Sequence, residues 1–129
     1  MLVSVATTDV YLRAKIPDIE LETVMASELR LPKFSVGVGD RFAHQAKAQL
    51  AACIKAKDAG IEVAPVWNKS NREHTIIGSE PSQTRTAADA AVKELGWTKP
   101  YFLDADHINL KTVDRFLAPC DFLDRKSVV

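Results

Sequence analysis

Three short strings concentrate the groups able to donate, accept or carry charge: "GDRF" (39–42), "NKSNREH" (68–74) and "DADHI" (104–108). In "DADHI", Asp104, Asp106 and His107 stand at i, i+2 and i+3. Two carboxylates and an imidazole mix hard and borderline donors, a set suited to a divalent cation. On a strand Asp104 and Asp106 point the same way, and His107 joins them only if the chain turns. The competing reading is a loop whose Asp residues cap a helix. In "NKSNREH", Glu73 has the chemistry of a general acid/base, and His74 that of a second base or ligand. Lys69 and Arg72 suit the carboxylate or phosphate of a ligand. The rival for this piece is a solvated cluster of charges. "GVGDRF" contains G-x-G without a third glycine, so the dinucleotide fingerprint is incomplete. Its glycines suit a tight turn or a close backbone approach to a ligand.

The elements that must position these strings follow from periodicity. Apolar runs predict strands at "KFSVGV" (33–38), "IEVAPVW" (61–67) and "PYFLDA" (100–105), with "DFL" (121–123) opening a fourth. Between them the pattern turns helical. Ala46, Leu50, Cys53 and Ile54 share one face of a helix over 43–59 that Gly60 stops. Ala88, Ala91, Val92 and Leu95 do so over 83–95, with Ser82 as N-cap and Gly96 as terminator. Leu110, Val113, Phe116 and Leu117 predict a helix over 110–117, capped by Asn109 and ended by Pro119. Upstream, Asp18 suits the cap of a helix carrying Leu21, Val24, Met25 and Leu29, and the first fifteen residues suit one or two strands. Strand alternating with helix is the grammar of a parallel α/β sheet. Continuous apolar strands fit a sheet covered on both faces.

All three polar strings follow a strand and precede a helix. In parallel α/β folds those strand ends lie on one side of the sheet, where ligands bind. Spacing therefore brings Asp40, Arg41, Asn68, Lys69, Arg72, Glu73, His74, Asp104, Asp106 and His107 towards one rim.

At 129 residues the length predicts one domain. The 17 Lys and Arg balance 17 Asp and Glu, which argues against a generic nucleic-acid or anionic-membrane binder. No apolar run approaches a membrane span, and no basic flank with an apolar run marks a signal peptide. Cys53 and Cys120 each sit in an apolar context, as core residues of a protein in a reducing, cytoplasmic compartment.

Taken together, "KFSVGVGDRFAHQ", "PVWNKSNREH" and "YFLDADHINLKTVDRFLAPCDF" resemble the tagaturonate epimerase family of hexuronate catabolism, over about Lys33 to Phe122. The resemblance implies a (β/α) TIM-type barrel and a divalent metal cofactor. The implied activity is interconversion of D-tagaturonate and D-fructuronate. The centre that inverts is β to the ketone, so proton abstraction beside the carbonyl cannot invert it, whereas retro-aldol cleavage and re-addition can. On this reading Glu73 is the first choice of base and Asp106 the second. His107 and Asp104 serve the metal. Asp40, Arg41, Asn68, Lys69, Arg72 and His74 serve the substrate, which is a small molecule. Replacing Glu73 by Gln is then expected to remove activity and leave binding. The alternatives are another metal-dependent aldolase or sugar isomerase on the same barrel, and a non-catalytic α/β domain that binds an anion or sugar.

The organisation expected is a lead-in over 1–32 with one helix, then three β/α units and the start of a fourth strand over 33–123. The ending "DRKSVV" (124–129) is what a common sequencing-library adapter encodes in one frame, so it reads as a non-native tail on a truncated barrel. Codons that differ from the adapter would refute this. Such a fragment is expected to show little activity by itself and to associate through its open sheet edge.

Overall fold

The chain divides into two compact units, residues 1–30 and 31–129. The structure, a computed structural model, describes residue 29 and residues 31–125. The strand and helix expected before residue 29 lie outside the described residues.

The second unit is an α/β fold. Four strands, β1 (Ser35–Gly39), β2 (Ala64–Ser70), β3 (Phe102–Ile108) and β4 (Phe122–Arg125), form one sheet in the order β1-β2-β3-β4. Every pairing is parallel. The register sets Gly39 beside Asn68, Asn68 beside Asp104, and Asp104 beside Phe122. Helices α1 (Ala46–Asp58), α2 (Asn71–Ile77) and α3 (Pro81–Leu95) alternate with the strands. No helix among the described residues is long and apolar enough to cross a membrane.

The core lies between the sheet and two helices. Ala46, Leu50 and Cys53 of α1 and Ala88 and Ala91 of α3 pack with Trp67 of β2, Leu103 of β3 and Trp97. These are the stripes that the helical period predicts, and burying them is what holds the layers together. The Gln49 side chain ties α1 to the sheet: its Nε2 donates to the Gly39 carbonyl at 2.8 Å, and its Oε1 accepts from Trp67 Nε1 at 2.9 Å. Both cysteines are free. Burial pushes the Cys120 thiol up to about 12 and also raises Cys53, so both stay protonated.

Four local features differ from the sequence expectation. β2 and β3 each begin and end two or three residues further along than their apolar runs, so β2 takes in Asn68–Ser70 and β3 takes in Asp106–Ile108. Asn71–Ile77 is a helix rather than a loop, because Ser70 and Glu73 close a reciprocal capping box and Gly78, at φ 65°, ends the turn. α3 starts at Pro81, not after Ser82: proline fills the first helical position, and the Gln83 side chain accepts from the Glu80 amide at 2.8 Å. Over 110–117 only a 3-10 turn forms, Val113–Arg115. Val113 and Phe116 are buried while Leu110 is 72% exposed, because one tight turn brings i and i+3 to the same side without needing the rest of the stripe.

Candidate functional site

Strand alternation decides where the polar residues face. Trp67 and Leu103 pack against α1 and α3, so Lys69, two residues after Trp67, lies on the helix-covered face. Asn68 lies on the other face, where a Cβ built on Gly37 or Gly39 would meet its carboxamide at 3.1 or 3.5 Å. The Phe102 and Phe122 rings meet with centroids 5.3 Å apart, which puts those two residues on one face. Asp104 and Asp124 follow them at i+2, and Asp106 follows Asp104. At the carboxyl end of the sheet, opposite the helices, Asn68, Asp104, Asp106 and Asp124 therefore share one surface across three strands.

His107 joins this group through a backbone irregularity. It adopts φ 53°, and the β3–β4 register shifts between Ala105 and Ile108. This is a bulge, which re-aims a side chain at a strand end. His107 Nδ1 lies 2.5 Å from Asp106 Oδ1. One ligand atom each from Asp106, His107 and Asp124 falls within 4.8 Å of the others. Two carboxylates and an imidazole at that spacing fit a single divalent cation. Asp104 is not in this set of three. Its carboxyl is pushed up to about 6, chiefly by burial and then by the charges of Asp124 and Asp106.

Two of the expected rim residues lie beneath the sheet instead. Lys69 is 3% exposed and His74 is 1% exposed. Lys69 Nζ donates to Ser79 Oγ at 2.9 Å, and Ser79 Oγ lies 2.8 Å from His74 Nδ1. The His74 ring packs on Phe116 with centroids 5.7 Å apart. Desolvation, then the Lys69 and Arg115 charges, lower His74 to about 4 and keep it neutral. Desolvation also lowers Lys69, partly offset by Glu73 and Asp40. The space that Lys69 and His74 line with Thr84, Leu103 and Phe116 admits no water-sized molecule. A substrate does not reach these groups in this arrangement.

The remaining expected residues sit at the carboxyl edge with local partners. Asp40 is buried, and its Oδ2 accepts from the Gln45 amide at 2.6 Å, at the start of α1. Glu73 Oε2 accepts from the Ser70 amide and hydroxyl, both at 3.0 Å, and Glu73 Oε1 accepts from Arg41 Nε at 3.3 Å. The Ser70 backbone bond, with help from the Ser70 hydroxyl and Arg41, holds Glu73 below the usual carboxylate range. Arg72 is exposed.

Comparison of the chain with protein families, curated proteins and solved structures finds no match.

Three residues that matter here were not singled out from the sequence. Asp124, assigned by the sequence reading to a non-native tail, stands two positions after Phe122, and the alternation of β4 is the signal for it. Ser79 follows the helix-ending Gly78 and carried no motif. Arg115 reaches Asn71 Oδ1 at 3.1 Å and the Ser79 carbonyl at 3.0 Å, contacts across more than thirty residues that no local pattern encodes.

Proposed function

We propose that this chain forms one wall of a metal-dependent sugar-acid epimerase that interconverts D-tagaturonate and D-fructuronate on a partial (β/α) barrel. The observation that carries the reading is the row of Asn68, Asp104, Asp106, His107 and Asp124 on one face of the carboxyl ends of a parallel sheet. Ligands in such folds bind at that end. The resemblance of the "NKSNREH" and "DADHI" strings supplies the substrate class.

Asp106 and His107 would hold the cation, joined in this chain by Asp124, the first residue of the ending that the sequence reading assigns to a non-native tail. When bound, it supplies a Lewis acid next to the substrate ketone. Asp104 takes the proton of the hydroxyl β to the ketone. The bond between the two carbons then breaks, giving an enolate and an aldehyde. The aldehyde rotates and the bond re-forms on its other face, with Asp104 returning the proton. Glu73 is unsuited to this role, since both its oxygens are engaged and its charge is stabilised. It orients Arg41, whose Nη groups remain available to the substrate carboxylate. A non-catalytic anion site draws less support, because Lys69 is bonded to Ser79 beneath the sheet.

Product analysis tests the reading. A protein carrying residues 33–123 within a closed barrel is expected to convert D-tagaturonate to D-fructuronate in the presence of Mn2+ or Zn2+. Asp104→Asn is expected to lower the rate by at least about 100-fold. In the 129-residue chain, titration calorimetry is expected to detect the cation and lose it in Asp106→Asn. Cleavage products without the epimer would indicate an aldolase instead. The absence of any product would sink the catalytic assignment.

A further inference from the structure

The "GVG" of β1 was expected to serve a turn or a ligand, yet neither Gly37 nor Gly39 has a positive φ. Both lie in regular strand, where glycine is a poor choice on conformational entropy. What their missing side chains leave open is the bed on which the Asn68 carboxamide rests: Nδ2 is 3.1 Å from where a Gly37 Cβ would sit, and Oδ1 is 3.5 Å from the Gly39 position. A separation of 3.1 Å is tighter than nine in ten real Cβ contacts, so a side chain at 37 obliges the amide to give by a few tenths of an ångström. No hydrogen bond to the Asn68 carboxamide from a described residue appears, although the group is half-buried. Its register partner on the same face is Asp104.

We propose that Gly37 is a positioning residue, which lays the Asn68 carboxamide flat against β1 so that it reads a hydroxyl of an open-chain polyhydroxy acid. A carboxamide offers two donors and an acceptor and no charge, which suits an alcohol group. The neighbouring Asp104 carboxyl accepts the same hydroxyl's proton in a hydrogen bond while Asn68 donates to its oxygen. Gly39 is incidental, because a Cβ at 3.5 Å is ordinary contact. This rests on the sugar-acid reading for its ligand class, but it concerns binding and not the bond that breaks.

The test uses the 129-residue chain and galactarate, an open-chain polyhydroxy diacid with no ketone, which cannot be epimerised by the proposed route. The side-chain amide resonances of Asn68, identified by their loss in Asn68→Asp, are followed by NMR. Galactarate is expected to shift them saturably. Gly37→Ala is expected to move them in the unliganded protein and to weaken binding about tenfold, the scale of one lost hydrogen bond. Gly39→Ala is expected to do neither. A purely structural glycine would give the opposite pattern, since Ala favours the strand and leaves Asn68 in place. If Gly37→Ala unfolds the chain, Asn68→Ala provides the second arm and is expected to weaken galactarate by a similar factor. Asn68 resonances unmoved at saturating galactarate, or identical behaviour of the two glycine variants, would overturn the proposal. A shift with galactarate in this chain, together with no fructuronate from tagaturonate by the closed barrel, would retain it and remove the epimerase reading alone.

Discussion

His74 is a buried, neutral imidazole between a lysine and an arginine, and that has a measurable consequence for stability. Its folded pKa of about 4 lies below its ordinary value of 6.5. The unfolded chain therefore binds more protons than the folded one between those values, and stability falls as pH drops from 6.5 towards 4. The stabilisation present above pH 6.5 and lost by pH 4 amounts to about 3 kcal/mol at most. His74→Gln, which keeps a polar partner for Ser79, is expected to flatten the dependence of melting temperature on pH across that window. An unchanged slope would remove His74 as its cause. Glu73 is a second case of a residue whose chemistry is local. Gln also closes a capping box, so Glu73→Gln is expected to cost little stability, whereas Glu73→Ala costs about 1 kcal/mol in denaturant unfolding.

The elements sort the polar residues more strictly than their spacing suggests. Had "NKSNREH" been a loop, its seven side chains could all have met one ligand. Because Asn68, Lys69 and Ser70 belong to β2, alternation sends Asn68 to one face and Lys69 to the other. The helix α2 then carries His74 under the sheet, where the 3-10 turn covers it with Phe116. Arg115 on that turn locks the α2–α3 junction by its bonds to Asn71, Ser79 and Glu80. Arg115→Met removes these donors and leaves the Ser79 carbonyl without this partner. It is expected to destabilise the fold by about 1–3 kcal/mol. Amide hydrogen exchange should quicken first in α2, and uniform quickening across the sheet would contradict this.

At the scale of the molecule, the described helices α1 and α3 pack on the sheet face that carries Trp67 and Leu103. Among the described residues β1 pairs only with β2, and its flank carries Phe34 and Val36 at 55% and 42% exposure. An unpaired parallel edge with apolar side chains is a template for association. The chain is expected to self-associate in a concentration-dependent way by sedimentation, and Val36→Lys to suppress it without lowering the melting temperature. Association that persists unchanged in Val36→Lys would place the contact elsewhere.

The sequence by itself determined the α/β class, the four strands and the faces of α1 and α3, because apolar periodicity reports burial directly. It also placed Gly39, Asn68 and Asp104 at one end of the sheet, because every strand of a parallel sheet runs the same way. It could not say how far each strand continues past its apolar run, since Asn68–Ser70 and Asp106–Ile108 are held in the sheet by hydrogen bonds to neighbouring strands and not by their own preferences. Only the tertiary structure decided that Lys69 and His74 are buried partners of Ser79, and that Asp124 stands beside Asp106 and His107. Those pairings depend on register and a bulge across strands, and register is a property of two segments at once.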